Sequence, residues 1–353
     1  MKKYKVLYID DSAEVDKSLL EPTIEDVERA SLKITPELPK HWDEMVKDLD
    51  DRMDNFDCLI LDWRLNERPI AGGKRVNYKA SEVAQYVRRR VVEGEINKPI
   101  PIFLWSTDKN LKSSFYGDIT SQDLFDETYK KDTDLSDFPL EKGKEMRCFI
   151  EAYEQCRLYN GKFNFAFLKA LLNPFDESYV DERVAKYISN GNETSNKQSR
   201  VFPLIKLLYK DIVRTPGMLV SEDLLAIRLG IDITKSKDWK ALMSRSAFKN
   251  IKYNGLFGSV HDRYWMQGLY ALWANVGDSG SSLITLSAEA KVKQLKTFFK
   301  LKAIKALAPS DFGAKYWVLD EATELPLDLN LAELVTERDP LPWQERRYRF
   351  IHS

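Results

Sequence analysis

The stretch FDCLILDWRLNE, residues 56–67, is a run of mainly apolar residues that ends at Asp62 and continues into Trp63 and Arg64. A short apolar run of this kind is typical of a strand buried on both faces. An unpaired carboxylate inside such a strand would cost several kcal/mol, so Asp62 must either reach water at the end of the strand or meet cations there. The sequence therefore predicts that Asp62 lies at the rim of a sheet.

The segments on either side of this strand alternate between strand-like and helix-like patterns. In chain order they are KYKVLYID at 3–10, a helix-like stretch at 13–31, SLKIT at 31–35, a helix at 41–53, the apolar strand at 56–62, a helix at 78–93, PIPIFLWS at 99–106, a strand-like stretch ending near Lys130, and a helix at 144–159. Short strands separated by helices are typical of a parallel sheet with helices on both faces. Residues 1–160 are therefore predicted to form an α/β domain with a doubly wound, five-stranded parallel sheet.

Residues 161–353 lose this alternation and have mostly helical patterns. The stretch 189–200, SNGNETSNKQSR, contains no apolar residue and predicts a polar loop. One long helix is predicted between Ser287 and Pro309. Two strand-like runs lie near the end of the chain, KYWVLD at 315–320 and RYRFIH at 347–352. We therefore expect a second, mainly α-helical domain with a small β element.

The composition is that of a soluble globular protein. A length of 353 residues suits two domains of roughly 150 to 200 residues each. The formal net charge is −1, from 54 basic and 55 acidic residues, so no global field draws the protein toward nucleic acid or anionic lipid. No apolar run approaches the roughly 20 residues that span a bilayer. We expect no membrane segment and a cytoplasmic location.

Cysteine and histidine are scarce, which limits the chemistry available to the chain. Cys58, Cys148 and Cys156 are scattered and odd in number, which argues against a disulfide framework and against a zinc site. With three histidines in the whole chain, histidine-based metal sites and catalytic triads have few possible members. Aspartate and glutamate carboxylates are therefore the plausible reactive groups of this chain.

Polar residues stand at the ends of four predicted strands, where sites form in parallel sheets. They are Asp10 and Asp11 after the first strand, Asp62 after the third, Ser106 with Thr107 after the fourth, and Lys130 with Lys131 after the fifth. Converging carboxylates repel one another unless a divalent cation lies among them, and an all-oxygen site suits Mg²⁺. Asp62 could then attack a phosphoryl group, whose charge the metal, an ammonium and a hydroxyl would stabilise.

This constellation resembles the receiver domain of bacterial two-component response regulators, over about residues 1–160. The resemblance implies a flavodoxin-like, CheY-like fold. It also implies that Asp10 and Asp11 match the acidic pair that holds Mg²⁺, and that Asp62 matches both a metal ligand and the phosphorylated aspartate.

The resemblance assigns two further roles at the ends of the last two strands. Ser106 matches the Ser or Thr that contacts the phosphoryl group, with Thr107 as the alternative one position later. Lys131 matches the lysine that pairs with the phosphate. Lys130 is the runner-up, because the family usually has proline after this lysine and Asp132 follows Lys131 here.

Two departures from the family pattern lie beside Asp62. The stretch from Asp62 to Ser106 is longer than is usual, and Trp63 and Arg64 are bulky where many relatives carry smaller or apolar residues. An enlarged loop could regulate access to the site or mark a degenerate receiver. A phosphatase of the haloacid dehalogenase type would need a second acid two residues after its nucleophile, and Arg64 stands there instead.

The resemblance implies a histidine kinase or related ATPase as partner, and a protein contact through residues 161–353 as output. We predict no enzyme activity beyond self-phosphorylation and dephosphorylation at Asp62. Three alternatives stay open: a degenerate receiver acting as a constitutive scaffold, a phosphoryl sink, and a DNA-binding response regulator. For the last, Lys293, Lys296 and Lys300 form a lysine face on one helix that could contact phosphates, although such faces are usually just solvated.

Overall fold

The structure is a computed structural model. It describes residues 2–12, 31–70, 73–131, 138–159, 163–189, 196–277, 281–335 and 340–351. The chain forms two compact units, one made of Met1–Gly161 with Glu193–Lys206 and the other of Lys162–Asn192 with Leu207–Ser353. The helix predicted at 13–31 lies outside the described residues except for its last position. None of the helices in the described ranges is long and apolar enough to cross a bilayer.

The described residues contain strands and helices in the following order. The strands are β1 (Tyr4–Ile9), β2 (Leu32–Glu37), β3 (Cys58–Leu61), β4 (Ile102–Ser106), β5 (Glu127–Lys130), β6 (Leu219–Ser221), β7 (Arg263–Trp265), β8 (Val318–Leu319), β9 (Pro326–Leu327), β10 (Ala332–Leu334) and β11 (Tyr348–Phe350). The α-helices are α1 (Trp42–Arg52), α2 (Ala80–Glu93), α3 (Asp108–Asn110), α4 (Ile119–Gln122), α5 (Phe138–Leu158), α6 (Phe165–Leu172), α7 (Glu182–Ser189), α8 (Val201–Lys206), α9 (Glu222–Arg228), α10 (Trp239–Met243), α11 (Ser246–Ile251), α12 (Met266–Val276) and α13 (Ala288–Phe299). π-helical turns span Leu111–Phe115 and Leu207–Val213, and 3₁₀ turns span Met53–Asn55, Glu177–Tyr179, Lys197–Arg200, Ile233–Lys235 and Leu329–Leu331.

The first unit is built on a five-stranded parallel sheet with the order β2-β1-β3-β4-β5. β3 is the central strand, and all four of its side chains, Cys58 to Leu61, are fully buried. This burial explains why the strand is a continuous apolar run, since neither of its faces meets water. The predicted α/β domain with a five-stranded parallel sheet is confirmed at this level.

Helices cover both faces of this sheet. On one face, Leu59 and Leu61 belong to a core that includes Met45 of α1 and Val83 of α2. On the other face, Phe103 of β4 packs edge-to-face against Phe149 of α5, with ring centroids 5.3 Å apart. The two helical layers leave the ends of the strands as the places where polar side chains can gather.

A short segment beyond the polar loop returns to the first unit. Asn196 donates a hydrogen bond from Nδ2 to the carbonyl of Val91 in the last turns of α2, at 2.6 Å. The 3₁₀ turn Lys197–Arg200 then leads into α8, where the Phe202 ring lies 3.7 Å from the guanidinium of Arg88. Within the loop predicted at 189–200, Ser189 ends α7 and residues 197–200 form a 3₁₀ turn, whereas residues 190–195 lie outside the described ranges.

The same guanidinium belongs to a buried polar cluster behind β4 and β5. Arg88 donates to Asp126 Oδ2 at 2.7 Å, and Tyr153 donates to Asp126 Oδ1 at 2.7 Å. The backbone N–H of Ile102 donates to the same carboxylate at 2.8 Å. The Asp126 side chain is 0% exposed and that of Arg88 is 13% exposed, so each charge depends on the other for compensation.

The second unit is mainly helical in its described residues, with small antiparallel sheets formed by β6 with β7, β8 with β9, and β10 with β11. The tail runs predicted as strands form β8 and β11, although both are shorter than predicted. Trp265 ends β7 and is fully buried, as is Leu269 of α12.

The long helix predicted between Ser287 and Pro309 is only partly correct. Ser287 caps α13 by accepting a hydrogen bond from the N–H of Ala290, as the sequence indicates. The helix ends at Phe299 because Lys300 adopts a left-handed conformation, with φ of 55°. The N–H of Leu301 then bonds back to the carbonyl of Lys296, which closes the helix in a Schellman arrangement.

We predict that Asp126→Ala lowers the free energy of unfolding by about 3–5 kcal/mol, because it leaves the buried Arg88 guanidinium without its anion. Asp123→Ala is the matched control, since its carboxylate is 76% exposed and pairs with Lys206; we expect a loss of at most about 1 kcal/mol. Urea unfolding followed by circular dichroism measures both. Equal effects of the two substitutions would contradict the role assigned to the buried pair.

Candidate functional site

The carboxyl ends of β1, β3 and β5 bring three predicted site residues to one rim of the sheet. Asp10 and Asp62 directly follow β1 and β3, and Lys131 directly follows β5. The backbone N–H of Asp62 donates to the carbonyl of Ile9 at 3.0 Å, and that of Lys131 donates to Ser106 at 2.9 Å. The parallel ladder therefore continues one residue past the strand ends and fixes the backbone from which these side chains project.

The ammonium of Lys131 joins the two aspartates. Its Nζ lies 2.8 Å from Asp62 Oδ1 and also contacts Asp10 Oδ2. The three side chains are 11%, 7% and 1% exposed for Lys131, Asp62 and Asp10. Asp62 therefore meets a cation at the rim, as the sequence of its strand requires.

Asp10 is held by hydrogen bonds at every acceptor position. Its Oδ1 accepts from the N–H of Ser12 at 2.8 Å and from the hydroxyl of Ser12 at 2.7 Å. Its Oδ2 accepts from the hydroxyl of Tyr8 and from Lys131. A carboxylate offers about four lone-pair sites, so these contacts use all of them.

The two carboxyl groups beside Lys131 have pKa values shifted in opposite directions. Burial raises the pKa of Asp62 to about 6, with the charge of Asp10 adding to this rise and Lys131 opposing it. Burial acts on Asp10 in the same sense, but Lys131, Tyr8 and Ser12 outweigh it and lower the pKa of Asp10. The difference follows from hydrogen bonding, because among the residues that the structure describes Asp62 accepts from Lys131 and from the N–H of Arg64 at 2.8 Å alone.

Asp11, unlike Asp10, binds backbone groups of the loop that follows Asp62. Its Oδ2 accepts hydrogen bonds from the backbone N–H groups of Glu67 and Arg68, both at 2.8 Å. Burial raises the pKa of Asp11, and the bond from Arg68 opposes the rise. Asp11 therefore anchors the loop that follows Asp62 to the end of β1.

The three carboxylates predicted to hold Mg²⁺ do not converge on one point at this rim. Carboxylate oxygens are the donors that Mg²⁺ prefers, and Asp10, Asp11 and Asp62 supply them. However, the part of the chain that the structure describes contains no group of three or more His, Cys, Asp or Glu side chains that could hold a metal. Asp10 has no acceptor site left, and Lys131 stands between Asp10 and Asp62. As the side chains stand, the three carboxylates do not fit a common ion, and Mg²⁺ binding stays a prediction.

The two candidate lysines have different partners. Lys131 contacts Asp10 and Asp62, whereas Lys130 pairs with Asp108 Oδ1 at 2.7 Å. Strand alternation explains the difference, because successive side chains point to opposite faces. The structure brings Lys131 to the site and leaves Lys130 outside it.

Ser106 is fully buried at the end of β4, and its hydroxyl has no hydrogen-bond partner in the described part of the chain. Thr107, the alternative, uses its hydroxyl to cap α3 by accepting from the N–H of Asn110. Tyr129, which precedes the two lysines, is buried and donates to Glu145 at 3.1 Å. Of the two hydroxyls proposed for phosphoryl contact, only that of Ser106 lacks a present role.

Sequence reasoning missed the role of Tyr8, and it noted the bulk of Trp63 beside Asp62 without its partner. Tyr8 donates to Asp10, and its position two residues earlier on β1 is the signal that could have revealed it, since residues i and i+2 share a face. Trp63 is fully buried and donates from Nε1 to the hydroxyl of Ser114 at 2.6 Å. This hydrogen bond connects Trp63 to the π-helical turn beyond β4. No local sequence pattern predicts it.

One lysine of α13 that lies outside the predicted lysine face has a structural role. Lys291 is fully buried and donates to the carbonyl of Tyr316 at 3.2 Å. Of the predicted lysine face, Lys293 and Lys300 are exposed and Lys296 is partly exposed, while Val292 and Leu295 are buried in the core of the second unit. The exposed lysines therefore have the arrangement of an ordinary solvated helix face.

Comparisons with known proteins found no family model, curated protein or solved structure that matches this chain. The resemblance to receiver domains therefore stays a prediction from the sequence.

We predict that Ser106→Ala leaves the free energy of unfolding unchanged or raises it by about 1–2 kcal/mol, because it removes a buried hydroxyl that has no partner. Ser12→Ala is the matched control, since it removes the hydroxyl that donates to Asp10, and it should cost about 1 kcal/mol. Thermal and urea unfolding measure both variants. A loss in Ser106→Ala as large as that in Ser12→Ala would show that the Ser106 hydroxyl is already bonded.

Proposed function

We propose that the first unit is a receiver-like signalling domain in which Asp62 accepts a phosphoryl group from a histidine kinase. The observation that carries the proposal is the Lys131 ammonium, bound to both Asp62 and Asp10 at the carboxyl rim of the sheet. The strand order 2-1-3-4-5 is the flavodoxin-like and CheY-like order, in which ligands bind outside this rim.

The proposed chemistry is nucleophilic attack by a carboxylate. A folded-state pKa of about 6 leaves Asp62 mostly ionised at neutral pH. One of its oxygens forms a bond to phosphorus while the bond from phosphorus to the kinase histidine nitrogen breaks, and the imidazole keeps that electron pair and takes up a proton. Lys131, already 2.8 Å from Asp62, offsets the added negative charge.

Ser106 supplies the proposed response to this charge. A phosphoryl group carries three strong acceptor oxygens, and the buried Ser106 hydroxyl is a donor without a partner among the described residues. Gaining that hydrogen bond favours one arrangement of the β4 end over another, which is a population shift. We propose that a protein partner of the second unit reads this shift; DNA binding is the alternative output.

A second candidate function is a constitutive scaffold with a silent site. It is favoured by the full set of hydrogen bonds on Asp10 and by the position of Lys131 between the carboxylates. A cluster that already satisfies its charges has less need of a metal or a phosphoryl group. The two candidates differ in one measurable property, the ability of Asp62 to form an acyl phosphate.

We predict that the protein, incubated with the small phosphodonor acetyl phosphate, gains the mass of one phosphoryl group. Asp62→Asn should abolish the gain because it removes the nucleophile, whereas Asp43→Asn, on the exposed first turn of α1, should leave it unchanged. Lys131→Met should slow the gain by about 100-fold or more, as the loss of an electrostatic stabiliser does elsewhere. Intact-mass spectrometry follows the reaction with Mg²⁺ and with a chelator.

The absence of any gain in mass under either condition would contradict phosphoryl acceptance and support the scaffold. A gain that survives Asp62→Asn would assign the reaction to another residue. A gain that is equal with Mg²⁺ and with the chelator would remove the metal from the proposal and leave Asp62 as acceptor.

A further inference from the structure

A cavity of about 560 Å³ opens beside Asp62 on the first unit. The residues that line it are Arg64, Asn66, Glu67, Arg75, Lys79 and Ser114. Arg64 connects the cavity to the site, because its backbone N–H donates to Asp62 Oδ2 at 2.8 Å. The volume falls within the range of small-molecule sites, about 300–1,000 Å³.

The lining is strongly positive. Three cations and one carboxylate face the cavity, and the carboxylate of Glu67 is already paired with Arg64 at 2.6 Å. A second nitrogen of the Arg64 guanidinium donates to Ser113 at 2.8 Å, which fixes its orientation. Arg75 and Lys79 form no ion pair with any residue that the structure describes. Lys79 does interact electrostatically with Asp118. Even so, three cations and one carboxylate line the cavity, and this surplus of positive charge attracts anions.

The positive groups are also held in place. The Lys79 ammonium lies 5.5 Å from the centre of the Trp63 ring, and that ring is fixed by burial and by its bond to Ser114. Lys79 also stands at the start of α2, where the helix dipole adds to the positive potential. The acid at this end, Glu82, accepts from the backbone N–H of Lys79 at 3.1 Å. The cationic character of the cavity is therefore partly preorganised.

We propose that this cavity is a binding site for a small polyanion, of the class of inorganic pyrophosphate or a small phosphorylated polyol. Guanidinium and amide groups suit phosphate oxygens, because they donate hydrogen bonds in fixed directions. The six lining residues include no aromatic or aliphatic side chain, so a nucleoside base would find no aromatic ring on which to stack. The site is separate from phosphoryl transfer, because the ligand binds to Arg64, Arg75 and Lys79 and forms no bond with Asp62.

Isothermal titration calorimetry with inorganic pyrophosphate at low ionic strength tests the proposal. The full-length protein should bind pyrophosphate in a one-to-one complex. The double variant Arg75→Gln/Lys79→Gln should bind at least about tenfold more weakly, since two charge-assisted contacts are lost. The control Lys33→Gln/Lys74→Gln removes the same charge from two exposed positions outside the cavity and should bind as the wild type does. Circular dichroism checks that both variants keep the wild-type fold.

Two results would overturn the site: no heat of binding in the wild-type protein, or an equal loss of affinity in the two double variants, which would indicate diffuse charge attraction. Asp62→Asn separates this proposal from the phosphoryl-acceptor function. That variant should lose acyl phosphate formation and keep pyrophosphate binding, so either proposal can fail while the other stands.

Discussion

The contact of the Lys131 ammonium with Asp10 and Asp62 is the interaction on which the rest of the rim depends. It requires that the ends of β1, β3 and β5 lie in register, because each strand supplies one member. Charges this deeply buried lose their hydration, and a buried ion pair often contributes little net stability. The cluster is therefore better explained by the chemistry it permits than by the folding free energy it provides. Asp10 and Asp62 differ in their hydrogen-bond partners and in their pKa values, and this difference determines which reactions the cluster can support.

Asp10 and Asp62 differ because of their neighbours on the strands. Asp10 receives Tyr8 from its own strand face and Ser12 from the turn, while Asp62 receives one backbone N–H besides Lys131. One carboxylate is thus locked as an anion and the other keeps acceptor sites and a higher pKa. Two contacts hold the loop after Asp62: the carboxylate of Asp11 accepts from the N–H of Glu67, and Trp63 donates to the hydroxyl of Ser114. The bulky residues Trp63 and Arg64 are therefore held beside Asp62.

The sequence was sufficient where a local pattern decides the structure. The apolar run of β3 placed Asp62 at a rim, and Ser287 marked the start of α13, because burial and capping act within a few residues. It was insufficient where distant contacts decide. The end of α13 at Phe299 and the packing of Phe202 against Arg88 depend on contacts that no short window of sequence contains. Lys131 was preferred to Lys130 on the family resemblance, and the structure places Lys131 beside the aspartates and pairs Lys130 with Asp108. Among the hydrogen bonds to Asp10, that from Lys131 comes from a distant strand, whereas those from Tyr8 and Ser12 come from residues two positions away. The spacing of Tyr8 and Asp10 along β1 could have indicated the first of these local bonds.

The most direct test of the central contact is a carboxyl-carbon NMR titration of Asp62 in the wild-type protein and in Lys131→Met. The account predicts a midpoint near pH 6 in the wild type. It predicts a higher midpoint in Lys131→Met, because the ammonium that lowers the pKa of Asp62 is gone while burial and Asp10 remain. A midpoint near the ordinary value of 3.8 in both proteins would show that Asp62 is solvated and that Lys131 does not hold it.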